Sequence, residues 1–489
     1  MRHAMIGAAM ILGLAGGAFA QEPPLKWGAD AEGGAPYIFL DPQDPSRLIG
    51  FEVDLAAALA ERIGQPIVHH QYNYDGLISG LNRGDIDLAM NGLEITPDRA
   101  KHVRFSRPYY VYTLQLVARA DETRFRSVEE LIEQRLSVGT LTETAASRFL
   151  ERSGLEPSLY DGQAEPYQDL ALGRLDAVLM DLPIAVSYAR PNPRLKFIGE
   201  PFEQGFYAIA LRTSDEALAK RVDAGLESLL ATGDLQRIYE KWGIWNADQT
   251  LLTEPNAAAA LLAGETDGFS IRNVLWSLVQ ASVVTIEISV CSMALAMLLG
   301  LMVAVARLYG PRPLQWLALL WVEFFRGIPV LLLLYVLYYG WPQVLESLGM
   351  SLMFAPSRMG AAILGFGLNY SAYEAEIYRA GIQAVPQGQW EAAASLGMSP
   401  QLTFRRVILP QAMRVILPPV TNDFVALFKD TSVASAIAVV ELTKQYQILA
   451  KSSQRYMEIG LATTILYLVM SVPLGYLARR LEQRWGKPQ

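Results

Sequence analysis

Hydrophobic and polar positions alternate in two different ways along this chain. From 25 to 247, short apolar runs are separated by stretches with helical spacing. "LKWGAD" reads as a strand, and in "LIGFEVDLAAALAERIG" Leu55, Ala58, Leu59 and Ile63 share one helix face. "GDIDLAM" and "TLQLVAR" read as further strands, and a second alternating unit runs over about 127–202. Strands alternating with helices predict an α/β sheet, with ligands bound beyond the strand ends. The chain is expected to cross between two lobes near 117–119 and again near 207–211, leaving a cleft able to close on a ligand. Lobe 1 is placed at about 25–117 and 212–247, and lobe 2 at about 120–206.

Beyond 270 the apolar runs lengthen to bilayer scale. "VVTIEISVCSMALAMLLGLMVAVA" runs for 24 residues with one charge. "LQWLALLWVEFFRGIPVLLLLYVLYYG" is a second span holding Glu323 and Arg326, and "IGLATTILYLVMSVPLGYL" a third without charge. "AAILGFGLNYSAYEAEIY" and "VILPPVTNDFVALFKDTSVASAIAV" are weaker candidates, and Trp276 suits an interface. Intramembrane Glu323, Arg326, Asp423, Lys429 and Asp430 are expected to face protein or a pathway. The prediction is an all-α transmembrane domain of about five helices over 270–489, joined to the α/β half by a tether at 248–269. The first 20 residues, with an apolar core and Ala18-Phe19-Ala20 before Gln21, read as a signal peptide; a retained anchor is the alternative.

Charge sharpens the division. Residues 21–248 hold 35 Asp+Glu against 23 Lys+Arg, and the remainder from 250 holds 14 against 17. An acidic first half without a basic patch argues against nucleic acid as a partner. With the α/β half outside, five spans put Arg307, Arg312, Arg379, Arg405, Arg406, Arg414 and a basic tail inside. Only Arg358, Lys444, Lys451 and Arg455 then lie in outer loops, as the positive-inside bias requires. Cys291 is the sole cysteine and lies in an apolar run, so the exported half has no disulfide. The four histidines form no metal or nucleophile pattern, so neither a metal nor another cofactor is expected.

Candidate chemistry concentrates in "NGLEITPDR", 91–99. Thr96 is a candidate N-cap and Pro97 fits the first helical position. A helix start offers free N–H groups, and Arg99 adds a fork matched to a carboxylate. Glu94 could take an ammonium group, though a surface Glu94–Arg99 ion pair is the plainer alternative. The second concentration is "EAAASLGMSPQLTFRRVILP", 391–410: a helix broken at Gly397, restarted at Ser399-Pro400 and disturbed by Pro410. Leu402, Phe404, Val407 and Ile408 give it an apolar face suited to a partner's groove. No G-x-x-x-x-G-K-[ST] run occurs, so nucleotide hydrolysis needs a separate subunit.

Residues 25–247 resemble the amino-acid family of periplasmic solute-binding proteins through "GFEVDLAAALAERIG", "YNYDGLISGLNRGDIDLAMNGLEITPDRAKHVRFSRPYY" and "LGRLDAVLMDLPIA". About 275–485 resemble the polar amino-acid permeases of ABC transporters, through "VEFFRGIPVLLLLY" and the stretch containing 391–410. The resemblance implies a two-lobed periplasmic-binding-protein fold with two crossover strands, followed by the helical permease domain. It gives Arg99 the α-carboxylate, Asp181 the ammonium, and Gly92 and Glu94 the amino group and backbone; the family often has Ser or Thr where Glu94 stands. Tyr74 would pack on the ligand side chain beside Met180, Thr142 and Thr144 would add donors, and Asp30 or Glu32 could reach its far end. In the permease half it makes 391–410 the coupling loop, carried by Glu391, Ala392, Ala393, Gly397, Leu409 and Pro410. The implied function is the fused receptor and permease of an importer for a polar amino acid in a bacterial inner membrane, with the receptor outside and the C-terminus inside. Its partners would be a separate ATP-binding subunit, a second permease copy as a homodimer, and the bilayer. An amino-acid-gated channel is the first alternative, but the lobes are uninterrupted and no Thr-Val-Gly-Tyr-Gly run occurs. A periplasmic enzyme on the binding fold is the other, and it leaves the membrane half without a role.

Overall fold

The computed structural model describes residues 23–32, 34–254, 258, 270–350, 354–453 and 455–485. The signal-peptide reading and most of the tether lie outside them. The chain divides into two units. One holds the chain to Val111 and again from Phe206; the other holds Tyr112–Gly205 together with everything from Gly264 onward.

The strands in chain order are β1 Leu25–Ala29, β2 Phe39–Leu40, β3 Leu48–Ile49, β4 Ile67–Gln71, β5 Leu88–Ala89, β6 Arg104–Arg119, β7 Val138–Leu141, β8 Ser158–Tyr160, β9 Ala177–Asp181 and β10 Leu195–Leu211. In the first unit they order β4-β1-β5-β10, with β1 parallel to both neighbours and β10 antiparallel to β5; β2 and β3 form a separate hairpin. The helix Phe51–Ile63 buries Phe51, Leu55 and Leu59, and ends where Gly64 turns left-handed at φ 72°. In the second unit the order is β6-β9-β7-β8, with β9 antiparallel to β6 and parallel to β7. The units divide at Val111 and Gly205, a few residues before the crossings expected from sequence. β6 and β10 are single strands of 16 and 17 residues, buried and apolar through the boundary, so no change of pattern marks it.

The start of the expected tether is structured. Ala247–Thr253 forms a 3-10 helix in the first unit, where the Gln249 amide donates to Val111 O at 2.7 Å and accepts from its N–H at 3.0 Å. Leu252 is buried with it.

The C-terminal region is mostly helical and apolar, with helical segments where all five spans were expected. Ile271–Tyr309 and Tyr456–Leu477 are long and apolar enough to cross a membrane. A third crossing requires counting Arg312–Gly327 and Val330–Ser347 together, and these meet at 104°. The second span is therefore not the single run its hydropathy predicts. Pro329 has no N–H and disfavours a helical Ile328, which is extended at φ −103° and ψ 137°. The two weaker candidates fall in Arg358–Gln383 and Leu409–Asp430. They are less apolar because they face protein. A Cβ on Gly300 of the first long helix would stand 2.6 Å from the Cβ of Glu374, so those two helices meet backbone to backbone. Ile288, Ala296, Leu334, Phe366, Ala375 and Ile416 lie in the core around them.

The intramembrane charges depart from expectation. Glu323, Arg326, Lys429 and Asp430 are exposed on this single chain, and Asp423 is half-buried. Asp430 accepts a 2.7 Å hydrogen bond from the Tyr370 hydroxyl, and the Arg326 guanidinium lies 5.3 Å from the Tyr373 ring centre.

Candidate functional site

In the first unit the 91–99 segment folds as its sequence predicts. Thr96 is extended, its hydroxyl accepts from Arg99 N at 3.3 Å, and Pro97 opens the helix Pro97–Ala100. That helix has only four residues, so its dipole is small and the Arg99 side chain must carry the charge. The guanidinium donates to Glu94 O at 3.1 Å and to the Tyr74 hydroxyl at 3.4 Å, with its centre 5.8 Å from the Tyr74 ring. A Glu94 carboxylate oxygen lies 3.6 Å away. The Glu94–Arg99 pair therefore exists, but it is not a surface pair: the side chains are 2% and 13% exposed. Glu94 is bridged across to Tyr207 on β10, which fixes it from the other side.

Asp30 is spent on its own loop. Its carboxylate accepts from Gln71 Nε2 at 2.9 Å, Glu32 N at 3.1 Å and Tyr74 N at 3.3 Å, while its N–H donates to the buried Asn91. It therefore holds Tyr74 in place. Glu32 is exposed.

Sequence reasoning missed Glu52. It sits in the first turn of an amphipathic helix, where an acid normally reads as solvated, yet it is fully buried. Its Oε1 accepts from Gly92 N at 2.6 Å and from the Tyr109 hydroxyl. Burial pushes its carboxyl up to about 7 against the lowering effect of those two bonds. Gly92 stands at φ 62°, and a Cβ there would come 2.7 Å from the Tyr37 ring, whose hydroxyl pairs with Tyr207 at 2.8 Å. The only available signal was Glu52 lying next to a glycine–aromatic helix start.

In the second unit, Asp181 ends β9 opposite Leu114 of β6 and opens the helix Leu182–Tyr188; it is 5% exposed. Met180 beside it is buried. Burial, and then the nearby Asp181 charge, pushes the Tyr167 hydroxyl well above its ordinary range. The Thr142 hydroxyl donates to Tyr160 O at 3.1 Å, and its N–H donates there at 2.9 Å. Thr144 caps the helix Ala145–Arg152, its hydroxyl accepting from Ser147 N and donating to Leu141 O, in a reciprocal box with Ser147. Both threonines thus build the 141–147 turn. Among the described residues, no group of three or more His, Cys, Asp or Glu could hold a metal ion.

The 391–410 segment forms the helix Gln387–Ser395, a left-handed turn at Gly397 (φ 74°), and a restart capped by the Ser399 hydroxyl. Pro410 does not disturb the next helix. A wide turn at Phe404–Ile408 precedes it, and it stands in the first turn of Leu409–Asp430, where no N–H is needed. The apolar face also differs from expectation. Ile408 is buried and Phe404 and Val407 pack inward, so Leu402 at 44% exposure and Leu396 at 82% are the side chains that project. Glu391, Ala392 and Gly397 are exposed around them, while Ala393 is buried.

Comparison with known proteins covers both halves. Residues 25–244 match the family of bacterial extracellular solute-binding proteins, family 3, and residues 296–487 match the binding-protein-dependent transport system inner membrane component. The L-cystine transport system permease protein TcyB of Bacillus subtilis (strain 168) is 37% identical over 216 residues, 44% of this chain and 89% of that protein. The glutamine transport system permease protein GlnP of Escherichia coli (strain K12) is 34% identical over 207 residues, 42% of this chain and 92% of that protein. A solved ancestral arginine-binding protein bound to arginine is 31% identical, covering 45% of this chain and 99% of its own, with a TM-score of 0.42.

Proposed function

This chain belongs to the binding-protein-dependent transport system inner membrane components, with a family 3 solute-binding domain fused ahead of an amino-acid ABC permease domain, and from that premise we propose that it imports a polar amino acid. The receptor half binds the amino acid outside a bacterial inner membrane and delivers it to the permease half of the same chain. ATP is hydrolysed by a separate subunit docked on 391–410, and two permease copies form the pathway.

The observation that carries the ligand assignment is the setting of Arg99. Its guanidinium is braced by Tyr74 and the Glu94 carbonyl, and the side chain is only 13% exposed. A fork held this way is prepared for a carboxylate, because little side-chain freedom remains to be lost on binding. We assign the α-carboxylate to Arg99, the ammonium to Asp181, the ligand side chain to Tyr74 and Met180, and backbone contacts to the Gly92–Glu94 and Thr142–Thr144 turns. Asp30 acts by holding Tyr74.

Two observations support the assembly. Glu323 and Arg326 are exposed on a membrane helix of the single chain, where lipid would be a costly neighbour and a second copy would cover them. Leu396 and Leu402 project from a turn on the side expected to be cytoplasmic, which suits an ATPase groove.

Calorimetric titration of the detergent-purified full chain with each of the twenty amino acids tests the ligand. Binding of a polar amino acid at micromolar concentration or below is expected. Arg99→Ala should weaken it about a hundredfold or more, the loss of two charge-assisted hydrogen bonds. No heat with any amino acid overturns the reading.

A further inference from the structure

Within the second unit, two groups of charged side chains join the solute-binding lobe to the helical half of the same chain. The first centres on Asp169, which is fully buried in the helix Ala164–Ala171. Its Oδ1 accepts from Arg174 at 2.9 Å, and its Oδ2 accepts from the Tyr160 hydroxyl at 2.5 Å. Both donors belong to the lobe. The same Oδ2 accepts from the Tyr338 hydroxyl and lies 3.5 Å from Arg358, and both of these belong to the helical half. The partners also bond one another. Arg174 donates to Tyr338 O at 3.2 Å and to Pro356 O at 3.2 Å, and Arg358 donates to the hydroxyls of Tyr338 and Tyr160. Each guanidinium also lies against an aromatic face: Arg174 is 4.2 Å from the Tyr338 ring centre and Arg358 is 4.4 Å from that of Tyr160.

The second group is Asp161 with Lys444 at 2.6 Å and Lys451 at 3.6 Å. The Lys444 side chain is fully buried. Burial alone would raise the Asp161 carboxyl, but Lys444 and then Lys451 hold it below its usual range.

These contacts have the marks of an interface rather than of incidental surface pairing. Buried Tyr and Arg side chains carry most of the energy where proteins meet. A buried carboxylate serves register more than strength, since it tolerates only an arrangement that supplies all its donors. The contacts also explain a detail of the charge pattern. Of the four basic residues assigned to outer loops, Arg358, Lys444 and Lys451 each face an acid of the lobe.

We propose that the second lobe is docked on the outer face of its own permease half through Asp169 and Asp161, and stays there whether or not ligand is bound. The receptor then does not shuttle on and off, and delivery occurs within one chain. This rests on the importer reading above for its purpose but not for its geometry.

The test uses the full chain in lipid nanodiscs, with Cys291→Ser and the pair Asp161→Cys and Lys444→Cys. A short bis-maleimide should link the pair in more than half of the molecules, equally with and without a saturating mixture of amino acids. A protease site placed at 259–263 then reports the link, since cut chains remain one species on a denaturing gel. Charge reversal gives an independent readout. After cutting the linker of otherwise unmodified chains, Asp161→Lys should release the binding half at least tenfold faster than the parent. Asp161→Lys with Lys444→Asp should restore retention.

Cross-linking only in the presence of ligand, absence of cross-linking, or equal release from parent and Asp161→Lys would each overturn permanent docking. A failure of the importer reading looks different. The cross-link would persist while calorimetry showed no amino-acid binding.

Discussion

Arg99 and Glu52 illustrate two ways in which a residue can be legible. Arg99 was found because its neighbours advertise a helix start, and Thr96 does accept the hydrogen bond its position predicts. Glu52 was not found, because the pattern that makes an acid look solvated says nothing about a tyrosine arriving from β6 to bury it. The two give separate predictions. Arg99→Lys keeps the charge but loses the planar fork, so the amino-acid Kd should rise about tenfold to a hundredfold while thermal stability holds. For Glu52 the sign follows from its raised carboxyl. Near 4.5 it ionises readily in the unfolded chain, but in the folded chain only at about 7. Its contribution is complete below 4.5, falls across 4.5–7 and is lost above 7, by about 3 kcal/mol at most. Glu52→Gln keeps an acceptor for Gly92 and Tyr109, so its stability relative to the parent should improve between about pH 4 and about pH 8. Urea unfolding followed at both pH values measures this.

At the scale of elements, sequence pattern located the strands and helices well but not their interruptions. Hydropathy averaged across Gly327–Pro329, and the 104° bend there emerges only when the proline is weighed against its helical surroundings. The two weaker spans looked doubtful because each buries polar residues against other helices. Asn369, for instance, donates to Phe325 O at 2.7 Å. In 391–410 the break at Gly397 and the cap at Ser399 were legible, but the outward side chain was not. A lone leucine before a glycine belongs to no periodic face. Leu396→Ser should therefore leave the fold intact while weakening docking of the ATPase subunit about thirtyfold, the loss of one fully buried leucine. Pull-down of the ATP-binding subunit with the purified chain measures it. Gly397→Ala should cost about 1 kcal/mol of local stability, since φ is 74° there and no neighbour lies within 4 Å of the added carbon.

For the whole molecule, composition alone separated an acidic half from an apolar one, and both family matches fall within those halves. The grouping of Tyr112–Gly205 with the membrane helices was not legible. It depends on single acids meeting single bases far apart in the chain, and one sequence has no periodicity at that range. The exposed Glu323 and Arg326 call for a neighbour, so native mass measurement in nanodiscs should find two copies of the chain. Glu323→Lys, which places like charges along one face, should shift the population towards single copies.

Tyr160 ends β8 and serves two masters. Its carbonyl accepts both bonds from Thr142, in the turn assigned to the ligand, and its hydroxyl is held by Asp169 and Arg358. Thermodynamic reciprocity gives that double attachment a consequence. Whatever coupling lets an occupied turn bias the helices must let the helices bias occupancy by the same factor. A nucleotide bound to the ATPase, on the opposite side of the bilayer, therefore becomes an allosteric effector of amino-acid affinity. The fused receptor has no single dissociation constant, only one for each state of the machine to which it is attached.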